Sequence, residues 1–187
     1  MRFKLIAVSA CLLAIGGLVW QTTAQSQAQK QKIARGKYLV DIGGCVDCHT
    51  PFKMGKNGPE PDMTKYMSGH PQEMKLPPPP KMEMPWIWAG AASNTAFAGP
   101  WGVTFAPNIT PHKISGLGAP QWSEANFVKA IKTGKHLGMT RPIMPPMPWT
   151  AYKHMTDADL KAVYAYLMSI KPIHNVAPDY QPAESGE

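Results

Sequence analysis

The longest apolar run lies at the start of the chain, where sixteen mostly apolar residues from Leu5 to Trp20 follow Arg2 and Lys4. Gln21-Thr22-Thr23-Ala24 comes next, which completes the basic, apolar and small-residue order of a secretory signal. The expected cleavage point is after Ala24, with Ala28 as a second site. As a helix the run reaches about 24 Å, short of a bilayer core of about 30 Å, so a removable leader is the better reading than a permanent span. An uncleaved leader would instead tether the chain to a membrane. Cys11 sits inside this run and is read as inert, because the apolar stretch continues past it.

Beyond the leader, residues 25–32 are Gln-rich and are expected to be flexible. Residues 33–187 read as one domain. Ile33, Gly36 and Val40 fall near one face of a short helix that ends at Gly43-Gly44. A second helix is predicted from Ser123, a good N-cap, with Phe127, Ala130 and Ile131 at apolar spacing and Gly134 as its stop. A third begins at Thr156, where Thr-x-x-Asp159 approximates a capping box, and Leu160, Val163, Tyr164 and Leu167 follow i, i+3, i+4, i+7 up to a stop at Pro172. No alternating run is long enough to predict a strand. The expectation is a mainly α fold with long loops, in which the first and last helices cross and Gly36 lets Tyr164 or Tyr166 pack at close range.

Between the first two helices the periodicity disappears. Residues 54–88 hold eight Pro and six Met, including Pro77-Pro78-Pro79-Pro80, and read as an inserted loop of functional or partner-binding character. The 20 Pro and 16 Gly of the whole chain likewise argue against a continuous bundle or a large parallel sheet.

The formal net charge is +7, and removal of Arg2 and Lys4 with the leader leaves +5. Lys and Arg are scattered, no nucleic-acid reader motif is present, and export would take the chain away from nucleic acid, so a nucleic-acid role is excluded. A mildly cationic docking face fits better.

The chemistry centres on Cys45-Val46-Asp47-Cys48-His49. Two thiols three residues apart can each add to a haem vinyl group, and the adjacent imidazole then reaches the iron. A redox dithiol, a zinc half-site and a structural disulfide compete with this reading. Zinc would need a second ligand pair, and a thioredoxin-like dithiol would want a βαβ context, neither of which the sequence supplies. The pattern therefore points to one covalent haem c held by Cys45 and Cys48, with His49 on the iron. The second axial ligand is expected from Arg141–Trp149, where prolines on both sides of Met147 would hold its sulfur in place. Met144 is the alternative, followed by Met139 or a histidine. Trp101, Asn108, Arg141 and Trp149 are candidate contacts for the haem propionates and pocket. His49 is expected to donate its other ring proton to a backbone carbonyl, with the Thr50-Pro51 turn as the nearest source.

With these residues in view, the sequence resembles single-haem class I c-type cytochromes, in particular the cytochrome subunits and domains of periplasmic bacterial alcohol and aldehyde dehydrogenases. The resemblance runs from Arg35-Gly36-Lys37-Tyr38-Leu39 through Cys45 to Pro51, then over Phe97-Ala98-Gly99-Pro100 and Asn108-Ile109-Thr110-Pro111. It resumes at Trp122-Ser123-Glu124 and continues through Pro145-Pro146-Met147-Pro148-Trp149 to Tyr166-Leu167. It implies a cytochrome c-like fold with crossed N- and C-terminal helices around the haem, and it favours Met147 over Met144 as the distal ligand. It departs at Pro111-His112-Lys113-Ile114, where the family often has an acidic, Gly-containing turn, and in the insertion at 54–88. The implied role is a periplasmic one-electron carrier between a dehydrogenase and a respiratory acceptor, either an oxidase or another cytochrome. Two other classes compete: a haem enzyme or gas sensor with a displaceable distal ligand, and a Cu(I)-handling protein built on the Met-rich loop and His70.

Overall fold

The computed structural model describes residues 25–183, so the predicted leader, residues 1–24, lies outside them. Helix α1 covers residues 25–42. Gln, Ala and Lys are good helix formers, so residues 25–32 continue the helix where the sequence suggested a flexible segment. Among the described residues no helix is long and apolar enough to cross a membrane.

Five helices are present among the described residues. Cys45–His49 forms α2, a single turn entered through Gly44 at φ 64°, a backbone conformation that favours glycine. Glu124–Thr133 forms α3, and Ser123 caps it by accepting a hydrogen bond from Asn126 N at 3.1 Å. Trp149–Tyr152 forms the short α4. Asp157–Leu167 forms α5, capped by Thr156, whose hydroxyl accepts from Asp159 N at 3.1 Å. This last helix stops at Leu167, five residues before Pro172, and the chain then runs extended to a last short strand.

The apolar stripes of α1, α3 and α5 meet in one core. Leu39 and Val40 pack with Phe127, Val128, Ile131, Leu160, Val163 and Leu167. Burial of each such side chain stabilises the fold by about 1.5–3 kcal/mol. A Cβ placed on Gly36 would lie 2.5 Å from the Ala162 carbonyl carbon and 2.8 Å from Tyr166 Cβ, so α1 and α5 approach backbone to backbone only because Gly36 has no side chain. Tyr166 lies at this contact and its hydroxyl meets that of Tyr66 at 3.0 Å, whereas Tyr164 turns to Phe127. Arg35 and Asp159 pair across the outside at 2.9 Å.

A sheet that the sequence did not suggest closes the other side. Its strands are β3 (Ala89–Gly90), β4 (Ala96–Gly99), β5 (Gly102–Phe105) and β6 (Gln181–Pro182), antiparallel in that order. The two longest have four residues each, too few for alternation to stand out. The expectation of a mainly α fold with long loops and no strand is corrected to helices plus this small sheet.

The insertion is also more ordered than its composition suggested. It opens with the hairpin β1 (Phe52–Gly55) and β2 (Gly58–Pro61), passes a 3-10 turn at Met63–Lys65, and then sends Met67, Ser68 and His70 fully into the interior. Residues 66–88 carry no helix or strand. Asn175 from the C-terminal extension holds this region by donating to the Ser68 and His70 carbonyls at 2.7 and 2.8 Å.

Candidate haem-attachment site

Helical spacing places Cys45 and Cys48 on the same side of the α2 turn, since residues three apart are neighbours on a helix surface. Both thiols are free. Burial pushes the Cys45 thiol up to about 11, and burial followed by the Asp47 charge raises that of Cys48, so both are protonated at neutral pH. Thiols of this kind are poor spontaneous nucleophiles and metal ligands. Among the described residues no group of three or more His, Cys, Asp or Glu converges on a metal-binding geometry, which leaves the zinc half-site reading without its other half.

His49 follows at the end of the turn and is buried. Its Nδ1 lies 2.9 Å from the Pro107 carbonyl, which can only accept, so Nδ1 carries the proton and the lone pair sits on Nε2. Burial holds the imidazole below its ordinary range and thus neutral, while the Pro107 hydrogen bond opposes that shift. The carbonyl that orients the ring therefore comes from fifty-eight residues downstream rather than from the Thr50-Pro51 turn. Gly69 N donates to the His49 carbonyl at 2.8 Å and Met67 N to the Thr50 hydroxyl at 3.0 Å, so the buried part of the insertion clamps the end of α2.

The Arg141–Trp149 segment is tied to the end of α3. Gly134 adopts φ 66° there, His136 N donates to the Arg141 carbonyl and Ile143 N to the Gly134 carbonyl, and the Trp149 ring lies directly against Gly134. Thr104 of β5 donates to the Pro145 carbonyl at 2.7 Å from the other side. In this frame Met147 is half-buried and packs on the apolar core together with Cys45, Val46 and Tyr152, whereas Met144 does not join that cluster and Met139 is 62% exposed.

The other candidate residues separate clearly. Asn108 is committed internally: its amide donates to the carbonyls of Ile173 and Asn175, and its oxygen accepts from the backbone and hydroxyl of Thr110. That leaves it no donor for a propionate and makes it a brace for the Pro107 loop. Trp101 Nε1 is buried with no hydrogen-bond partner among the described residues, an orphaned donor of the kind a bound acceptor satisfies. Arg141 is exposed and reaches only the neighbouring Pro142 carbonyl. Two of the soft ligands invoked for Cu(I) are engaged elsewhere, since Met67 is fully buried in the core and both ring nitrogens of His70 are bonded, to Thr95 Oγ1 at 2.9 Å and the Met74 carbonyl at 3.3 Å.

Pro107 and Asn175 escaped the sequence reading, as did the part of the Thr50 hydroxyl in holding Met67 N. The Asx-type pattern Asn108-x-Thr110 is the signal that could have pointed to a side-chain-braced turn beside Pro107, but nothing in the sequence linked Asn175 to it.

The donor set is a neutral imidazole with a free Nε2, two thiols on one helical face, and a thioether in the same cluster. It suits a covalently attached haem. The profile of the cytochrome c family matches residues 33–171, and the chain belongs to that family. It is 31% identical to a gluconate 2-dehydrogenase cytochrome c subunit from Pantoea cypripedii over 91% of this chain and 29% of that protein. It is 28% identical to a fructose dehydrogenase cytochrome subunit from Gluconobacter japonicus, over 83% of this chain and 25% of that one. A quinone alcohol dehydrogenase cytochrome c subunit from Gluconacetobacter polyoxogenes is 28% identical over 97% of this chain and 30% of its own length. The chain thus spans under a third of the length of these relatives. Membership implies covalently bound haem c and electron transfer as its chemistry.

Proposed function

We propose that the chain is an exported one-electron carrier with a single haem c, attached through Cys45 and Cys48 and ligated by His49 and Met147. The observation that carries this reading is the His49 ring, buried, neutral and oriented by Pro107 so that the Nε2 lone pair is left available on the residue that follows Cys48. Haem c supplies a one-electron iron couple when bound. The chain's residues do the rest. His49 Nε2 and the Met147 thioether would hold the iron between them, and the soft sulfur would favour its reduced state. Trp101 Nε1 would donate to a propionate as a neutral group, and exposed Arg141 would offer a cation. Trp149 fixes the Met147 segment by packing on Gly134.

The donor is a dehydrogenase of the periplasm and the acceptor an oxidase or another cytochrome. Support comes from the relatives, which are cytochrome subunits of gluconate, fructose and alcohol dehydrogenases. The leader at residues 1–24 fits a periplasmic location.

Acid–acetone extraction of the denatured protein tests the attachment: haem should stay on the chain, and its release would end the proposal. Met147→Ala should abolish the sulfur-to-iron charge-transfer band, lower the potential and admit carbon monoxide, while Met144→Ala should leave all three unchanged. Rapid carbon monoxide binding by the unmodified protein would shift the assignment to a haem enzyme or sensor.

A further inference from the structure

The tip of the irregular segment, residues 82–88, holds apolar side chains in solvent. Met84 is 84% exposed, Trp86 75% and Ile87 53%. Trp88 packs edge-to-face on Phe97 at 6.0 Å and pins the base of the tip to β4. Between the tip and the sheet lies a cleft of about 680 Å³ lined by Pro79, Met82, Trp86, Ile87, Ala98 and Val103. Single exposed apolar residues are ordinary, but a contiguous run beside an apolar cleft marks an interaction surface.

The composition of the tip selects its partner. Trp rings settle at the headgroup level of a bilayer, with Ile and Met reaching just below them. Lys75 and Lys81 precede the tip, are exposed, and make no ion pair among the described residues, so they are available to anionic headgroups, and Glu83 is the single carboxylate within the tip. Five prolines in residues 77–85 remove backbone N–H donors that would otherwise lose water on entering the interface. A protein partner would bury such an apolar patch equally well, but the paired indoles, free lysines and donor-poor backbone together match a lipid surface better.

We propose that this tip moors the protein to the surface of an anionic phospholipid bilayer. The sheet sets the orientation. Val103 faces the cleft, while the next residue, Thr104, points to the opposite face and bonds to Pro145, so a moored molecule turns its Met147 segment away from the lipid. This inference is independent of the carrier reading, because it is read by vesicle binding rather than by electron transfer.

The test is flotation of the purified, haem-loaded full chain with vesicles of phosphatidylcholine alone or mixed with phosphatidylglycerol. The unmodified protein should float with the mixed vesicles and be released by salt. The pair Trp86→Glu and Ile87→Glu should weaken binding by about tenfold or more, and Lys75→Gln with Lys81→Gln by about threefold, with the haem spectrum unchanged in both. All variants are compared in the same leader state. Failure of the unmodified protein to float, or equal flotation of the Trp86/Ile87 variant, overturns the proposal. A variant that floats normally but is reduced more slowly by a dehydrogenase also overturns it, in favour of a protein-docking surface.

Discussion

The two halves of this molecule are held together by different physics. Where α1, α3 and α5 meet, the interior is apolar and the backbone satisfies its own hydrogen bonds within the helices. In the other half, which carries the insertion, the sheet and the C-terminal extension, the buried residues include Thr50, His70, Thr95, Asn108, Thr110 and Asn175. Every buried polar residue of the described chain lies outside the three long helices. Irregular backbone cannot pair with itself, so side chains must supply the partners that buried N–H and C=O groups require. The haem-attachment turn lies at the seam: Cys45 and Val46 pack on the apolar core, while His49 is oriented by the polar half.

That contrast predicts two kinds of fragility. The largest loss is expected at the helix contact: Gly36→Ala would drive a Cβ into the Ala162 backbone and should cost about 3 kcal/mol or more, lowering the melting temperature by about 6–12 °C. A variant that melts like the parent would show that α1 and α5 do not meet there. Somewhat less, about 2–3 kcal/mol, is expected from Asn108→Ala, which strands the Asn175 carbonyl and the Thr110 amide and leaves the Ile173 carbonyl only its longer bond from the Thr110 hydroxyl. The same variant should also disturb the haem spectrum through Pro107, a readout that Gly36→Ala should leave alone if the protein is measured while folded.

Acid should separate the halves further. Burial holds His70 below its ordinary value of 6.5, against opposing contributions from the Met74 carbonyl and Glu73. The unfolded chain therefore takes up the proton first, and the stability due to neutral His70 is present above about pH 6.5 and declines as pH falls below it. Denaturant midpoints measured from about pH 7 to about pH 5 should fall, and His70→Gln should flatten that slope. An unchanged slope would mean that His70 is not the group responsible. The smallest effect belongs to the helical half: Ser123→Ala removes the α3 cap and should cost about 1 kcal/mol, or about 2–4 °C in a thermal melt, without touching the haem spectrum.

The sequence by itself determined the features encoded over short spans. Period and caps located the starts of α3 and α5, Gly36 marked the close crossing, and the five residues Cys45 to His49 carried the attachment chemistry. Each of these depends on neighbours within a turn or two, where residue type and spacing nearly fix geometry. Tertiary structure alone decided the rest. The four-residue strands exist because they pair with one another, Ser68 and His70 leave an apparent loop for the core because Asn175 donates to their carbonyls, and His49 takes its orientation from Pro107. The Pro107 and Asn175 contacts join residues 58 to 107 positions apart, and no local pattern records a hydrogen bond whose two ends meet only after the chain has folded.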